Sequence, residues 1–332
     1  MYNYKDIRRV HLEVSTRCNA ACPDCPRNLR GVDVFDTYPV LDMTLAQVQE
    51  IFSAEFIQQL DNLLINGNYG DFVTARDGLE IVRYFKSVNP DIKIQISTNA
   101  SAKPKIWSEL GRLGITVYFR IDGLQDTHKL YRQNTDFDFV LDNAKKFIAT
   151  GGYAIWNMIA FSHNLHQVEA CRQLSKELGF GQFQLIDQGR NTMPVFTPDQ
   201  RLSHVIGDYQ GPVDFDELYE INQTYKVDPW GQVRNESSNR EISCYAKAIS
   251  EVYVAANGEV YPCCWLGFYP RHTDRHASNP QLKQIMTPNN ALEVGLESAV
   301  SWFNRIEESW SLASVPAGKI FACNKNCGTK EL

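Results

Sequence analysis

The stretch Ile7–Cys25, IRRVHLEVSTRCNAACPDC, joins a β-branched run to three cysteines, Cys18, Cys22 and Cys25, set within eight residues. Ile7 to Val14 is expected as the first strand, so the three thiols fall on the loop at its C-terminal end. From there the chain alternates short β-branched runs with helix-period segments, which predicts parallel βα units. Six strands are expected: Ile7 to Val14, Asn62 to Asn66, Ile92 to Ser97, Thr116 to Ile121, Ala154 to Phe161 and Phe183 to Ile186. Thr44 with Gln47 reads as a capping box for a helix with Leu45, Val48 and Phe52 on one face. A later helix is expected from Asn164 to a glycine stop at Gly179.

Parallel barrels carry their chemistry at the C-terminal ends of the strands. Those ends hold Asn66, Gly67, Asn68, Tyr69, Gly70 and Asp71; then Ser97, Thr98 and Asn99; Asp122 and Gly123; Ser162, His163 and Asn164; and Asp187, Gln188, Gly189 and Arg190. Three thiolates cannot complete the four-cysteine ligation of a [4Fe-4S] cluster, so one iron would keep an open position. A structural zinc site needs a fourth ligand, and neither His11 nor Asp24 supplies CxxC-pair geometry.

The CxxxCxxC spacing directly after the first strand resembles the radical S-adenosylmethionine (SAM) superfamily. The resemblance implies a partial (β/α)6 TIM-like barrel over about the first 190 residues, with a cluster-bound SAM cleaved reductively to a 5'-deoxyadenosyl radical. It implies SAM contacts from the Gly67–Asp71 turn, an imperfect match to a GGE pattern at Gly70 and Asp71, from Ser97, Thr98 and Asn99, and from Asp122 and Arg132. Glycine in the turn suits close backbone approach to a ligand. Arg132 is expected to pair with the SAM carboxylate, against the alternative of a surface ion pair. The residue before the third cysteine, often aromatic in this family, is Asp24 here, which leaves the adenine contact unassigned.

Residues 191–243 carry Pro194, Pro198, Pro212 and Pro229 and no sustained period, and are expected as a linker or substrate-covering segment. Beyond them, Ile249 to Ala256 and Glu259 to Pro262 flank Asn257 and Gly258, a two-residue hairpin signal. A helix is expected over Asn290 to Glu307, with Leu292, Leu296, Val300 and Phe303 inward. Cys244 before the hairpin and Cys263 after it would meet at one end, with Cys323 and Cys327 able to close a four-thiolate shell. A four-cysteine zinc site is the alternative for these residues taken alone. The string CX13GX4C from Cys244 through Gly258 to Cys263 resembles the start of the SPASM and twitch regions, and the four-cysteine set fits twitch, implying one auxiliary [4Fe-4S] cluster in residues 244–332. The glycine spacing favours Cys263 over Cys264 as ligand, and Cys171 reads as a core residue.

The chain of 332 residues is 43% hydrophobic and 22% charged, ordinary globular material with room for more than one core. A net charge of -6 gives no basic footprint for nucleic acid. The first residues lack a signal-peptide core and no apolar run is long enough to span a bilayer, so a cytoplasmic protein without a membrane partner is expected, its nine cysteines reduced and available as ligands.

Function is then expected as radical modification of a substrate, with a fully ligated auxiliary cluster relaying an electron and a flavodoxin or ferredoxin as low-potential donor. Peptide or protein modification leads; dehydrogenation of a small polar alcohol or sugar-like substrate is the alternative, and an iron-sulfur electron-transfer protein without SAM turnover is a third reading. Because the chain starts at its first strand, with no domain of the kind that grips a leader peptide, the leader-peptide version is weakened, a separate partner being the remaining source of that grip. Tyr69, Asp71, His163, Asp187 and Arg190 are the rim candidates for a proton-transfer group.

Overall fold

Alternation along the strands sets the architecture, because successive side chains point to opposite faces. The computed structural model describes residues 1–33, 39–186, 192–227, 240–267 and 281–331. Six strands run parallel in chain order: β1 (Arg9–Leu12), β2 (Asn62–Ile65), β3 (Lys93–Thr98), β4 (Thr116–Arg120), β5 (Tyr153–Ile159) and β6 (Gln182–Ile186). All six lie where the sequence predicts them, within a few residues at each end. One face carries Val10, Leu12, Leu63, Ile65, Ile94, Ile96, Val117, Phe119, Trp156 and Met158, all buried in one core. Against it pack the crossover helices: α1 (Leu45–Ile51), α2 (Ala54–Gln58), α3 (Gly78–Val88), α4 (Trp107–Arg112), α5 (Gln125–Tyr131), α6 (Phe137–Ile148) and α7 (Val168–Glu177). Helix α3 contributes Ile81, Val82 and Phe85, and α6 contributes Val140, Ala144 and Phe147. The capping box expected at Thr44 is formed: its side chain accepts from Gln47 N while the Gln47 side chain accepts from Thr44 N.

The opposite, inner face is polar. Arg9 and Asn62 both reach the Gln95 side-chain oxygen, Gln95 donates to the Tyr118 hydroxyl at 3.1 Å, Arg120 donates to Asn157, and Asn157 donates to Gln184 at 3.2 Å. The sheet therefore presents hydrogen-bonding groups inward where a closed barrel would stack aliphatic layers.

Two more strands join this sheet, whose order is β11-β10-β1-β2-β3-β4-β5-β6 when the remaining strands are numbered along the chain. Strand β7 (Met193–Phe196) pairs antiparallel with β8 (Leu202–Ile206), and β9 (Arg240–Ile242) pairs with β12 (Gly328–Glu331). The hairpin expected around Gly258 is β10 (Glu251–Val254) and β11 (Val260–Tyr261), with Gly258 at φ 87°. Strand β10 lies parallel to β1, Arg9 opposite Glu251 and bonded to it at 2.6 Å, so the C-terminal region covers an edge that would otherwise stay open.

The described residues of 191–243 form the β7–β8 hairpin, helix α8 (Phe215–Val227) and β9. Their prolines interrupt any period, yet Met193, Val195 and Ile206 bury themselves against Cys22, Tyr131, Ile159 and Phe161. The helix expected over 290–307 is broken into Ala291–Val294, Leu296–Ala299 and Asn304–Trp310, the first break at Gly295, whose φ of 76° cannot continue a right-handed helix. Among the described residues no helix is long and apolar enough to cross a membrane.

Candidate active site

The C-terminal ends of β1 to β5 converge on a cavity of about 1040 Å3. Its lining unites Cys18, Cys22 and Cys25 with Gly67, Tyr69, Gly70, Asp71, Ser97, Thr98, Asn99 and Arg132. Residues far apart in the chain but expected at one mouth are thus together. His163 is not in that lining; its ring stacks on Phe161, centroids 5.2 Å apart, and burial holds its pKa below the ordinary histidine value. Asp187 and Arg190 lie outside the described residues.

The cysteine loop is held by short turns and by its neighbours. Cys25 N donates to Cys22 O at 3.0 Å, Ala21 N to Gln133 O at 3.0 Å, and the Asn19 side chain to Ser101 O at 3.1 Å. The Asn99 amide stands 3.7 Å from Cys18 Sγ, and Arg132 Nη1 stands 3.6 Å from Cys22 Sγ. Burial raises the pKa of Cys18 and Cys22, and for Cys22 the guanidinium of Arg132 opposes that rise. Coordination would remove those protons outright. The fit to a three-thiolate cluster rests on what the nearby carboxylates do. Asp24 pairs with Arg30 at 3.7 Å, and Asp71 accepts from Thr98 Oγ1 at 2.5 Å, Asn99 N at 2.8 Å and Val73 N at 3.0 Å. Both are engaged elsewhere, which leaves the loop three thiols to offer. Among the described residues no group of three or more His, Cys, Asp and Glu side chains is drawn together as a single metal ion requires.

Asp71, expected as a SAM contact, lines the cavity and also braces the Thr98–Asn99 strip beneath the cysteine loop. Gly70 lines the cavity too, and its lack of a side chain has a second use. A Cβ there would lie 1.7 Å from Ser15 O, so glycine is needed for the turn to lie against the chain entering the cysteine loop. Asp71 N and Thr74 Oγ1 both donate to Arg17 O, at 2.8 and 2.7 Å, completing the seam. Asp122 is fully buried and binds Arg132 Nε at 2.6 Å through one oxygen and Ile159 N at 2.6 Å through the other. Burial works against the Arg132 charge, but Asp122, through its charge and its hydrogen bond, together with Cys22 and Tyr131 more than offsets it, and the pKa is raised.

The sequence reading passed over Glu13, Arg120, Trp265 and Lys325. Glu13 continues the inward parity of Arg9 and His11, a signal that was available. It is 0% exposed and accepts from Tyr69 N at 2.8 Å, Gly70 N at 3.3 Å and the Tyr253 hydroxyl at 2.8 Å. Arg120 donates to Ser97 Oγ at 2.8 Å at the cavity wall. Trp265 and Lys325 enter the lining from the C-terminal region, where no local pattern marks them.

Cys244, Cys263, Cys323 and Cys327 line a second, small cavity of about 20 Å3 with Trp265, Ile306 and Trp310, and Cys264 does not. Pairing of β9 with β12, together with Ser243 N donating to Cys327 O at 2.9 Å, brings Cys244 beside Cys327. A hydrogen bond between these two thiols lowers the pKa of Cys327 and raises that of Cys244, as expected for a pair sharing one proton. Cys323 and Cys327 sit four apart on the helix Phe321–Cys327 and so share a face. Trp265 and Ala322 line both cavities and form the wall between them.

No family model matches the chain, and no curated protein matches it by sequence. Solved structures do match its fold. SuiB of Streptococcus suis bound to S-adenosylmethionine superposes with a TM-score of 0.53 at 14% identity, over 96% of this chain and 77% of SuiB. Native anSMEcpe with bound AdoMet gives 0.54 at 14% identity, over 98% of this chain and 92% of the other. The chain thus has the partial-barrel fold of the radical SAM enzymes; at this identity the likeness is one of fold.

Proposed function

We propose that the chain is a radical SAM enzyme that modifies a peptide or protein. The observation that carries this reading is the meeting of three thiols, a glycine turn and a buried arginine at one mouth of a parallel sheet. Cys18, Cys22 and Cys25 would hold a [4Fe-4S] cluster whose chemistry is to deliver one electron to SAM, supplied by a low-potential donor such as flavodoxin or ferredoxin, giving methionine and a 5'-deoxyadenosyl radical. Around it the chain's own residues do the positioning. The Gly67–Asp71 turn offers backbone groups to the amino end of SAM, Arg132 offers its outward edge to the carboxylate, and Ser97 and Asn99 complete the polar wall. Asn99 and Arg132 keep donors beside Cys18 and Cys22, which favours their thiolate forms.

The rest of the cavity is walled by Trp265, Phe321 and Lys325, and this is the substrate side of the site. Of the rim candidates for proton transfer, Tyr69 and Asp71 line the cavity, which favours them over His163. Cys244, Cys263, Cys323 and Cys327 would hold a second [4Fe-4S] cluster, whose chemistry is to take up the electron released as the substrate radical is oxidised. In this reading residues 1–190 form the SAM-cleaving unit, 191–243 cover it and 244–332 form a twitch unit joined through β10. Two fold relatives support a peptide substrate: SuiB is solved with a precursor peptide, SuiA, at a TM-score of 0.53 and 15% identity, and anSMEcpe with a Cp18Cys peptide at 0.52 and 14%.

The test is anaerobic reconstitution with iron and sulfide, then SAM and a strong reductant. Release of 5'-deoxyadenosine is expected from the wild type and not from Cys22→Ala. A reconstituted wild type that leaves SAM intact would sink the proposal in favour of an electron-transfer protein.

A further inference from the structure

The Gly67–Asp71 turn is held from behind by the C-terminal region. The turn that begins at Cys263 is closed by Leu266 N and Gly267 N, both donating to Cys263 O at 3.2 Å. Gly267 passes directly over the Tyr253 ring, where a Cβ would sit 2.4 Å from a ring carbon. The hydroxyl of that ring donates to Glu13 at 2.8 Å, and the other Glu13 oxygen holds Tyr69 N and Gly70 N. A second link is direct: the Asn68 side-chain amide donates to Cys264 O at 3.0 Å. Two separate paths thus run from the turn carrying Cys263 to the turn at the cavity mouth. A buried carboxylate with this many donors has little freedom, since losing any one leaves an acceptor in a site water does not reach.

We infer that the Cys263 turn positions the SAM-binding turn, through Tyr253 and Glu13 on one path and Asn68 on the other, so that loading the C-terminal four-cysteine site tightens SAM binding at the mouth. The inference rests on the proposed function. Its physical content is a coupling free energy: ligation at Cys263 fixes the turn that presents Cys264 O and seats the Tyr253 ring, and the Gly67–Asp71 turn then needs less ordering when SAM binds. Glu13 and Asn68 act as positioning residues.

The experiment is equilibrium SAM binding to anaerobically reconstituted protein, with iron content and thermal unfolding measured on every sample. Tyr253→Phe and Asn68→Ala are each expected to weaken SAM about fivefold to tenfold with iron content at the wild-type value, Tyr253→Phe also lowering the unfolding temperature because it strands a Glu13 oxygen. Cys323→Ser, which should lose the C-terminal irons alone, is expected to weaken SAM similarly, and adding Asn68→Ala to it should cost less than it does in the loaded protein. Glu13→Gln, which keeps an acceptor for Tyr69 N, should bind better than Glu13→Ala. Equal SAM affinity in the wild type, Tyr253→Phe, Asn68→Ala and Cys323→Ser would overturn the inference and leave the proposed function standing. A reconstituted wild type that binds no SAM would instead overturn the proposed function itself.

Discussion

Asp122 holds Arg132 Nε at 2.6 Å, and this fixes the guanidinium so that its Nη1 stands 3.6 Å from Cys22 Sγ. Removing one partner of a buried pair leaves the other charge stranded, at a cost of about 3–5 kcal/mol. Arg132→Ala should therefore lower unfolding free energy by about that amount and abolish SAM binding, while Arg132→Lys loses less stability. Chemical denaturation of the three proteins decides it: an unchanged midpoint for Arg132→Ala would show that the pair does not hold the site together.

Gly70 offers a steric test. Because Ser15 O occupies the place a Cβ would need, Gly70→Ala must push the turn away from the cysteine loop, costing about 3 kcal/mol or more. SAM binding should be lost with it. Gly114→Ala, at a position with nothing within 4 Å, is the control; its positive φ alone should cost about 1 kcal/mol. Equal denaturation midpoints for the two variants would contradict the packing described.

Iron counting separates the cysteines. The reconstituted wild type should hold about eight irons per chain, and Cys22→Ala and Cys263→Ser about four each. Cys264→Ser should retain the wild-type count, since Cys264 is not among the residues that line the small cavity, whereas Cys244, Cys263, Cys323 and Cys327 are. Four irons in the wild type, unaffected by Cys244→Ser and Cys323→Ser, would rule out the auxiliary cluster.

Acid sensitivity should follow two buried imidazoles. Burial pushes the pKa of His11 and of His128 down to about 4 from an ordinary value near 6.5. The unfolded chain binds these protons as pH falls through about 6.5 while the folded chain resists until about 4. Their stabilisation is thus complete above about pH 6.5 and is lost on the way down to about 4, at roughly 3 kcal/mol each. Glu13 and Asp71, raised by burial, act in the opposite sense, so the measurement is the difference between wild type and His128→Gln. Glutamine can still accept from Asp122 N, as His128 Nδ1 does at 3.1 Å, and the variant should show a shallower loss between pH 6.5 and 4. Parallel pH curves for the two proteins would remove His128 from the account.

The six parallel strands were legible because alternation is a local property: Val10 and Leu12 face the helices and Arg9 and His11 face inward, and the sequence carries that parity openly. The turn at Asn257 and Gly258 was equally local. Where β10 would pair was not, since all four residues of Glu251–Val254 are buried and a uniformly buried strand does not announce its neighbour. The β7–β8 hairpin was hidden by Pro194, tolerated in a two-stranded ribbon whose partner is an edge. At the site, the cysteines and the glycine turn stood out by spacing, whereas Glu13, Asp71 and Gly70 reveal their roles only through contacts with residues tens or hundreds of positions away.

The pairing of Arg9 with Glu251 also bears on synthesis. Strand β1 leaves the ribosome well before its neighbour β10, so the nascent sheet carries an open edge while β2 to β6 are being made. Contacts of such long sequence separation form slowly. The Glu13 and Tyr253 contact can form only once that edge closes, so the turn at the cavity mouth reaches its final shape only after β10 has been made.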